Sequence, residues 1–177
     1  EITGAEVSYQ QDFTFLPGFL SDFGTIINYT YTDSDASFVD EEEANADFYD
    51  GFPFLKTSKD TVNATLYWEK DGHSVRLAYN YRSDNLYQAV VLDSSLWTDS
   101  RESLDLSANF QLTENLNLSM SANNLTDESD RRYATRTIGK NGLANEGNAL
   151  TSGAPDWRTA YYANTGRIFR VGVNYKF

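Results

Sequence analysis

Gly166-Arg167-Ile168-Phe169-Arg170-Val171-Gly172-Val173-Asn174-Tyr175-Lys176-Phe177 is the stretch whose parity decides the fold. Phe169, Val171, Val173, Tyr175 and Phe177 share one parity, and Arg170, Gly172, Asn174 and Lys176 share the other. A period of two places the first set on one face of an extended strand and the second set on the opposite face. The apolar face ends on Tyr and Phe, the residues that gather where a lipid-facing surface meets the headgroups. In a soluble sandwich the strand would be shorter and its polar face would meet bulk water. This strand therefore predicts a wall with lipid on one side and a wet lumen on the other.

The same alternation recurs upstream. Ile2 to Phe15 carries Ala5, Val7, Tyr9, Phe13 and Phe15 against Glu6, Ser8, Gln10, Asp12 and Thr14. Leu16-Pro17-Gly18-Phe19 fits a type II turn, and Asp22 to Asp33 reads as the next strand. Thr57 to Glu69 sets Val62, Ala64, Leu66 and Trp68 against Thr61, Asn63, Thr65 and Tyr67. Lys70-Asp71-Gly72 predicts a tight hairpin into His73 to Arg82. Arg101 to Leu112 alternates most cleanly and turns at Thr113-Glu114-Asn115 into a strand that carries Leu116, Leu118, Met120 and Ala122. A break of phase at Asn124-Leu125 suggests a bulge, and a last strand runs from about Ala160 to Phe177. These strands exceed the roughly 5–6 residues usual in globular sheets and suit the roughly 9–11 that a tilted strand needs to cross a bilayer.

Composition narrows the classes. With 26 acidic against 14 basic residues the net charge is -12, which argues against nucleic acid as a partner. There is no cysteine and one histidine, His73, so no disulfide framework, thiolate chemistry or zinc site is expected. No apolar run is long enough for a transmembrane helix. The mean hydropathy of -0.54 beside 15% aromatics suits a barrel wall, half of which faces water. For catalysis there is no nucleophile–base–acid set, so the sequence does not read as an enzyme, and no cofactor is indicated.

Short connections at Pro17-Gly18, Asp71-Gly72 and Glu114-Asn115 alternate with long ones at 34–56, 83–100 and 126–159. An outer-membrane barrel has short periplasmic turns and long extracellular loops in this rhythm. Seven strands would leave two open edges in lipid, so the reading is of the last part of a larger barrel. A complete small barrel of eight strands with a structural or adhesin role is the alternative, its extra strand hidden in Asn141 to Asp156. A soluble lipocalin-like barrel would need a polar outward parity, and here that parity is aliphatic and aromatic.

At this point the residues resemble the TonB-dependent receptors of the Gram-negative outer membrane. The resemblance rests on Ile2-Thr3-Gly4-Ala5-Glu6, Asn28-Tyr29-Thr30-Tyr31-Thr32 and Arg76-Leu77-Ala78-Tyr79-Asn80-Tyr81-Arg82. Asn124-Leu125-Thr126-Asp127 and the ending Gly166 to Phe177 complete it. It implies an all-β antiparallel transmembrane β-barrel of 22 strands, of which residues 1–177 form about the last seven. The strands look closest to receptors of the Caulobacter–Xanthomonas type. The resemblance further implies import of a scarce nutrient, a carbohydrate or an iron-siderophore, from the outer membrane to the periplasm. Its implied partners are the plug domain and earlier strands of the receptor, the TonB complex, membrane lipid and lipopolysaccharide. The final Phe177, with Tyr175, Val173, Val171 and Phe169, resembles the signal read by the barrel assembly machinery, where strand addition at an open edge sets register.

Candidate ligand contacts sit in the long connections. Trp97, Tyr133, Trp157, Tyr161 and Tyr162 suit stacking on sugar rings or a chelate, and Arg131, Arg132, Arg136 and Arg158 suit carboxylates or hydroxyls. The competing reading, which is favoured, places Trp157, Tyr161 and Tyr162 in an aromatic girdle and pairs the arginines with loop carboxylates. Asp33-Ser34-Asp35 with Asp40-Glu41-Glu42-Glu43 lacks the Gly and Glu of a calcium loop and reads as a solvated acidic loop, so no metal site is expected. Arg76, Arg82 and Asp105 share the lumen parity and are expected to pair across the ladder.

Overall fold

A computed structural model describes residues 1–39, 48–91, 94–136 and 157–177. Seven strands build the wall: β1 (Ile2–Asp12), β2 (Phe23–Ser34), β5 (Asp60–Lys70), β6 (His73–Arg82), β9 (Arg101–Thr113), β10 (Leu116–Asn123) and β13 (Ile168–Tyr175). They form one sheet in the order β1-β2-β5-β6-β9-β10-β13, and every neighbouring pair is antiparallel. The all-β antiparallel fold expected from the alternation is the one observed. β1 and β13 form the edges of this open sheet. Among the described residues, no helix is long and apolar enough to cross a membrane; a β-barrel crosses with strands.

Register carries the parity from strand to strand. On one face the row Thr25–Leu66–Leu77–Leu106–Ala122–Phe169 runs across six strands. Beside it runs Phe23–Trp68–Val75–Ala108–Met120–Val171. Tyrosines mark the upper end of this face, where the Tyr29 hydroxyl donates to Asp60 Oδ1 (2.7 Å) and Tyr79 to Glu102 Oε2 (3.1 Å). Aromatics mark the lower end, with Phe19 edge-on to Phe23 and His73 tilted against Phe110. A strand rises about 3.3 Å per residue, so the stretch from His73 to Tyr81 covers about 26 Å before tilt. That is the scale of the apolar band of an outer-membrane wall. Leu106, Val171 and Val173 are exposed rather than enclosed, as an outward, lipid-facing surface requires.

The opposite face is polar. Ser8, Asn28, Asn63, Asn80 and Ser103 form one row across five strands, and the Ser8 hydroxyl donates to Asn28 Oδ1. Lower down, the Tyr67 ring lies over Gly24 and its hydroxyl donates to Asp12. A Cβ at Gly24 would come within 2.3 Å of that ring. Glycine here makes room for an aromatic side chain that covers the neighbouring strand.

The connections differ from expectation in four places. β1 ends at Asp12 instead of Phe15: the Phe13 N–H makes the last ladder bond to the Phe23 carbonyl, the Leu16 N–H then turns back to the Phe13 carbonyl, and a 3-10 turn at Gly18–Asp22 lengthens the connection. Gly18 has φ +64, consistent with the expected turn, and Asp71 and Gly72 at φ +48 and +80 make the hairpin that Asp-Gly predicts. The phase break at Asn124 is a strand end and not a bulge: Asn124 has φ +57, and the register shift in β10 lies at Leu116/Asn117. The long connections are not simple loops. They hold β3 (Ala36–Val39) paired with β4 (Phe48–Phe52), and a four-stranded sheet of β7 (Asn85–Val91), β8 (Ser94–Thr98), β11 (Ser129–Arg136) and β12 (Trp157–Asn164). The single strand expected from Ala160 to Phe177 is accordingly two, β12 and β13, separated by a bend at Gly166 (φ +71).

This second sheet has the order β7-β8-β11-β12, matching the order β6-β9-β10-β13 of the strands that lead into it. Short breaks divide the two tiers, at 83–84, 99–100, 124–128 and 165–167. Ser83, Asn85 and Asn124 are buried at the breaks and satisfied there. The Ser83 N–H donates to the Asp60 carbonyl while its Oγ accepts from the Asp60 N–H, and the Asn85 amide donates to Ser58 Oγ. Asn124 Nδ2 donates to the carbonyls of Glu128 and Gly166, while its Oδ1 accepts from the Glu128 N–H. Its own N–H donates to Asp105 Oδ1 (2.8 Å). Buried polar groups persist when every donor and acceptor is met, and one asparagine here ties β9, β10 and β13 together.

Candidate functional site

The upper sheet collects the aromatic and cationic side chains singled out in the sequence. Register places Asn85, Thr98, Arg132 and Tyr161 in one row, and Leu86, Trp97, Tyr133 and Thr159 in the next. Trp97 and Tyr133 are therefore direct cross-strand neighbours. Tyr161 stands one row away, opposite Arg132. Thr135 pairs with Trp157 and Arg136 with Ser94 along the backbone; the side chains of Arg136 and Trp157 lie outside the described ones, as do the acidic residues 40–47.

Each described side chain has a defined environment. The Arg132 guanidinium lies 4.0 Å from the Tyr87 ring centre and 5.1 Å from that of Tyr161, a cation between two π faces. Tyr87 reaches it because the register shifts between Leu86 and Gln88, and Lys56 approaches the same ring at 5.5 Å. Arg131 binds Asp99 through Nε (2.7 Å) and Nη2 (2.6 Å), and Arg101 Nη1 donates to Asp130 (2.8 Å). The Trp97 indole donates to Ser95 Oγ (3.0 Å), whose residue is 1% exposed. Tyr133 donates to Asp84 Oδ2 (3.0 Å). Burial, then that bond and the Asp84 charge, push the Tyr133 phenol above its ordinary pKa. Tyr161 and Tyr162 remain exposed, at 47% and 60%.

The arrangement divides the candidates. Arg131 is engaged by a loop carboxylate, as the competing sequence reading expects, and Trp97 and Tyr133 commit their polar atoms internally while keeping their rings in the sheet. Tyr161, Tyr162 and the edge of the Arg132 stack offer open aromatic surface. Sequence reading missed the role of Tyr87 in that stack and of Asp84 and Asp99 as partners. Tyr87 was visible as an aromatic inside a long connection, but no spacing rule joins residues 99 and 131.

On the wall, the expected pairing of Arg76 and Arg82 with Asp105 does not occur. Arg76 Nη2 donates to Glu69 Oε1 (2.9 Å), Arg82 faces Arg101, and Asp105 accepts from the Asn124 N–H. Asp105 lies within β9 opposite Ala78, and its carboxylate is taken by the backbone donor at the end of β10. On β13, Phe169, Val171, Val173 and Tyr175 line the exposed apolar face, and Phe177 packs edge-on to Tyr175 at 5.2 Å. Among the described residues, no three His, Asp or Glu side chains are grouped to hold a metal ion.

Residues 1–125 match the model of the family described as TonB dependent receptor-like, beta-barrel. No curated protein and no solved structure matches the chain. The family match covers β1 to β10, including the complete run of wall strands from Ile2 to Asn123.

Proposed function

Because the chain belongs to the TonB-dependent receptor-like β-barrel family, whose members are outer-membrane receptors and transporters rather than enzymes, we propose that it forms the C-terminal wall of a receptor that imports a scarce nutrient. The nutrient is a carbohydrate or an iron-siderophore, first held at the extracellular tier and moved to the periplasm with TonB-derived energy. The observation that carries this reading is the register: apolar rows lie on one face and polar rows on the other across the wall. A sheet over a soluble core alternates too, but it buries its apolar face; here Leu66, Leu77, Leu106, Met120 and Val171 are exposed, as a sheet between lipid and a wet lumen requires.

In this reading the edges β1 and β13 join the other strands of a 22-stranded barrel of the Caulobacter–Xanthomonas type, and a plug domain fills its lumen. Intact receptors of the family carry such a plug and engage TonB. Phe169, Val171, Val173, Tyr175 and Phe177 serve as the assembly signal, since they present an apolar face on an edge strand. Trp97, Tyr133, Arg136, Trp157 and Tyr161 contribute to the ligand surface. Supporting this, Trp97 and Tyr133 are neighbours and Tyr161 is open.

Uptake of labelled maltooligosaccharides and ferric siderophores by cells carrying the parent receptor or Trp97→Ala tests the assignment. One ligand class is expected to lose about tenfold in affinity with the tryptophan, the scale of one stacking contact of about 1–2 kcal/mol. Unchanged affinity and transport for both classes would remove Trp97 from the site.

A further inference from the structure

The polar face of the wall carries the row Glu6–Thr30–Thr61–Arg82–Arg101, in register across five strands. Its last two members are both cations and stand directly opposite each other on β6 and β9. Like charges so placed repel, and a ladder normally avoids the arrangement. Here it occurs in a chain of net charge -12. Arg101 gives Nη1 to Asp130 at 2.8 Å, which leaves other N–H groups of its fork uncommitted. The Arg82 guanidinium has no ion-pair or hydrogen-bond partner among the described residues. The nearest acid of the row, Glu6, stands three strands from Arg82, about 14 Å at the usual strand spacing.

The two arginines also bound a cavity of about 240 Å³, lined with Thr61, Asn63, Asn80 and Ser103. Amides and hydroxyls thus surround a pair of planar, always-charged donors. That chemistry recognises a planar anion through paired N–H bonds. The site lies where Arg82 leads into Ser83 and Arg101 follows Ser100, immediately beneath the tier that carries Trp97 and Tyr133. A molecule leaving that tier for the lumen meets this pair next.

We propose that the Arg82–Arg101 pocket binds a carboxylate of the imported substrate, so that the nutrient belongs to the carboxylated class: a sugar acid or a carboxylate chelate. The inference rests on the receptor reading above and narrows its substrate. An anion between the guanidiniums removes their mutual repulsion, so the pocket is tightest for a charged ligand and indifferent to a neutral isostere.

Phenylglyoxal, which modifies free guanidinium groups, tests this on the purified intact receptor, with modification of Arg82 followed by peptide mass spectrometry. Acetate is expected to slow the reaction at Arg82 severalfold at constant ionic strength, while acetamide leaves it unchanged. Arg101→Gln should weaken the protection by acetate, and Arg101→Lys, which keeps the charge, should retain part of it. Equal rates with acetate and acetamide would overturn the proposal. So would an Arg82 that resists modification from the outset, since a protein group would then occupy the pocket. Nutrient uptake measured beside it separates the two readings: uptake without protection by acetate sinks only the pocket, whereas failure to reach the outer membrane sinks the receptor.

Discussion

Gly24 and Tyr67 show how much a single missing side chain can organise. The ring occupies the space a Cβ would need, and from there its hydroxyl reaches Asp12 two strands away. Gly24→Ala is expected to cost about 1–3 kcal/mol, because the ring must leave and the bond to Asp12 goes with it. Urea unfolding of the receptor in detergent checks this, and Tyr67→Phe, which keeps the ring, should cost less. Tyr133 offers a prediction in pH. Its folded-state pKa is raised, so its contribution to stability is fully present below the ordinary tyrosine pKa of about 10 and is lost as pH rises beyond it. Phenolate absorbance should show one fewer late-titrating tyrosine in Tyr133→Phe than in the parent. A Tyr133 that ionises with the exposed tyrosines would contradict the buried bond to Asp84.

At the scale of the strand, parity decides which substitutions matter. Leu106 lies in the aliphatic row and Ser107, its neighbour in sequence, lies on the polar face opposite Arg76 and Ser121. Leu106→Arg is expected to destabilise the wall in lipid by about 2–4 kcal/mol, the cost of a cation near the middle of the bilayer, while Asn109→Arg, on the polar face opposite Ser74 and Ser119, changes little. Folding titrations into lipid vesicles measure both; equal costs would mean that the two faces are not lipid and water. This is the level at which the sequence was most legible. Alternation located all seven wall strands, because a period of two survives wherever one face is held to lipid. It failed where that constraint ends. β7, β8, β11 and β12 have no lipid face, so their residues follow no steady period, and only pairing to one another reveals them as strands. For the same reason the long last strand was read straight through Gly166, where the chain bends from one tier to the other. Of the candidate site, the residue types were readable and their partners were not, since Asp99 with Arg131 and Tyr87 with Arg132 meet only through the register of the upper sheet.

The whole molecule is a wall and an upper tier joined along a line of satisfied polar groups. Asn124 is the most connected of them, and Asn124→Ala should cost about 2 kcal/mol, with Asn124→Gly recovering only the share due to its positive φ. The diagnostic measurement is hydrogen exchange: amides of β11 and β12 should lose protection in Asn124→Ala while those of β5 and β6 keep theirs. Uniform loss would mean that wall and tier unfold as one unit. Where the chain crosses between tiers it does so by turns and hydrogen bonds, without interlocking side chains of the bilayer-facing kind. Residues above the line are thus released from the demands of the membrane. Mutation there can remodel what the receptor grips without disturbing how it is anchored, so tiers exchanged between related barrels at 83–84, 99–100, 124–128 and 165–167 would carry ligand preference with them.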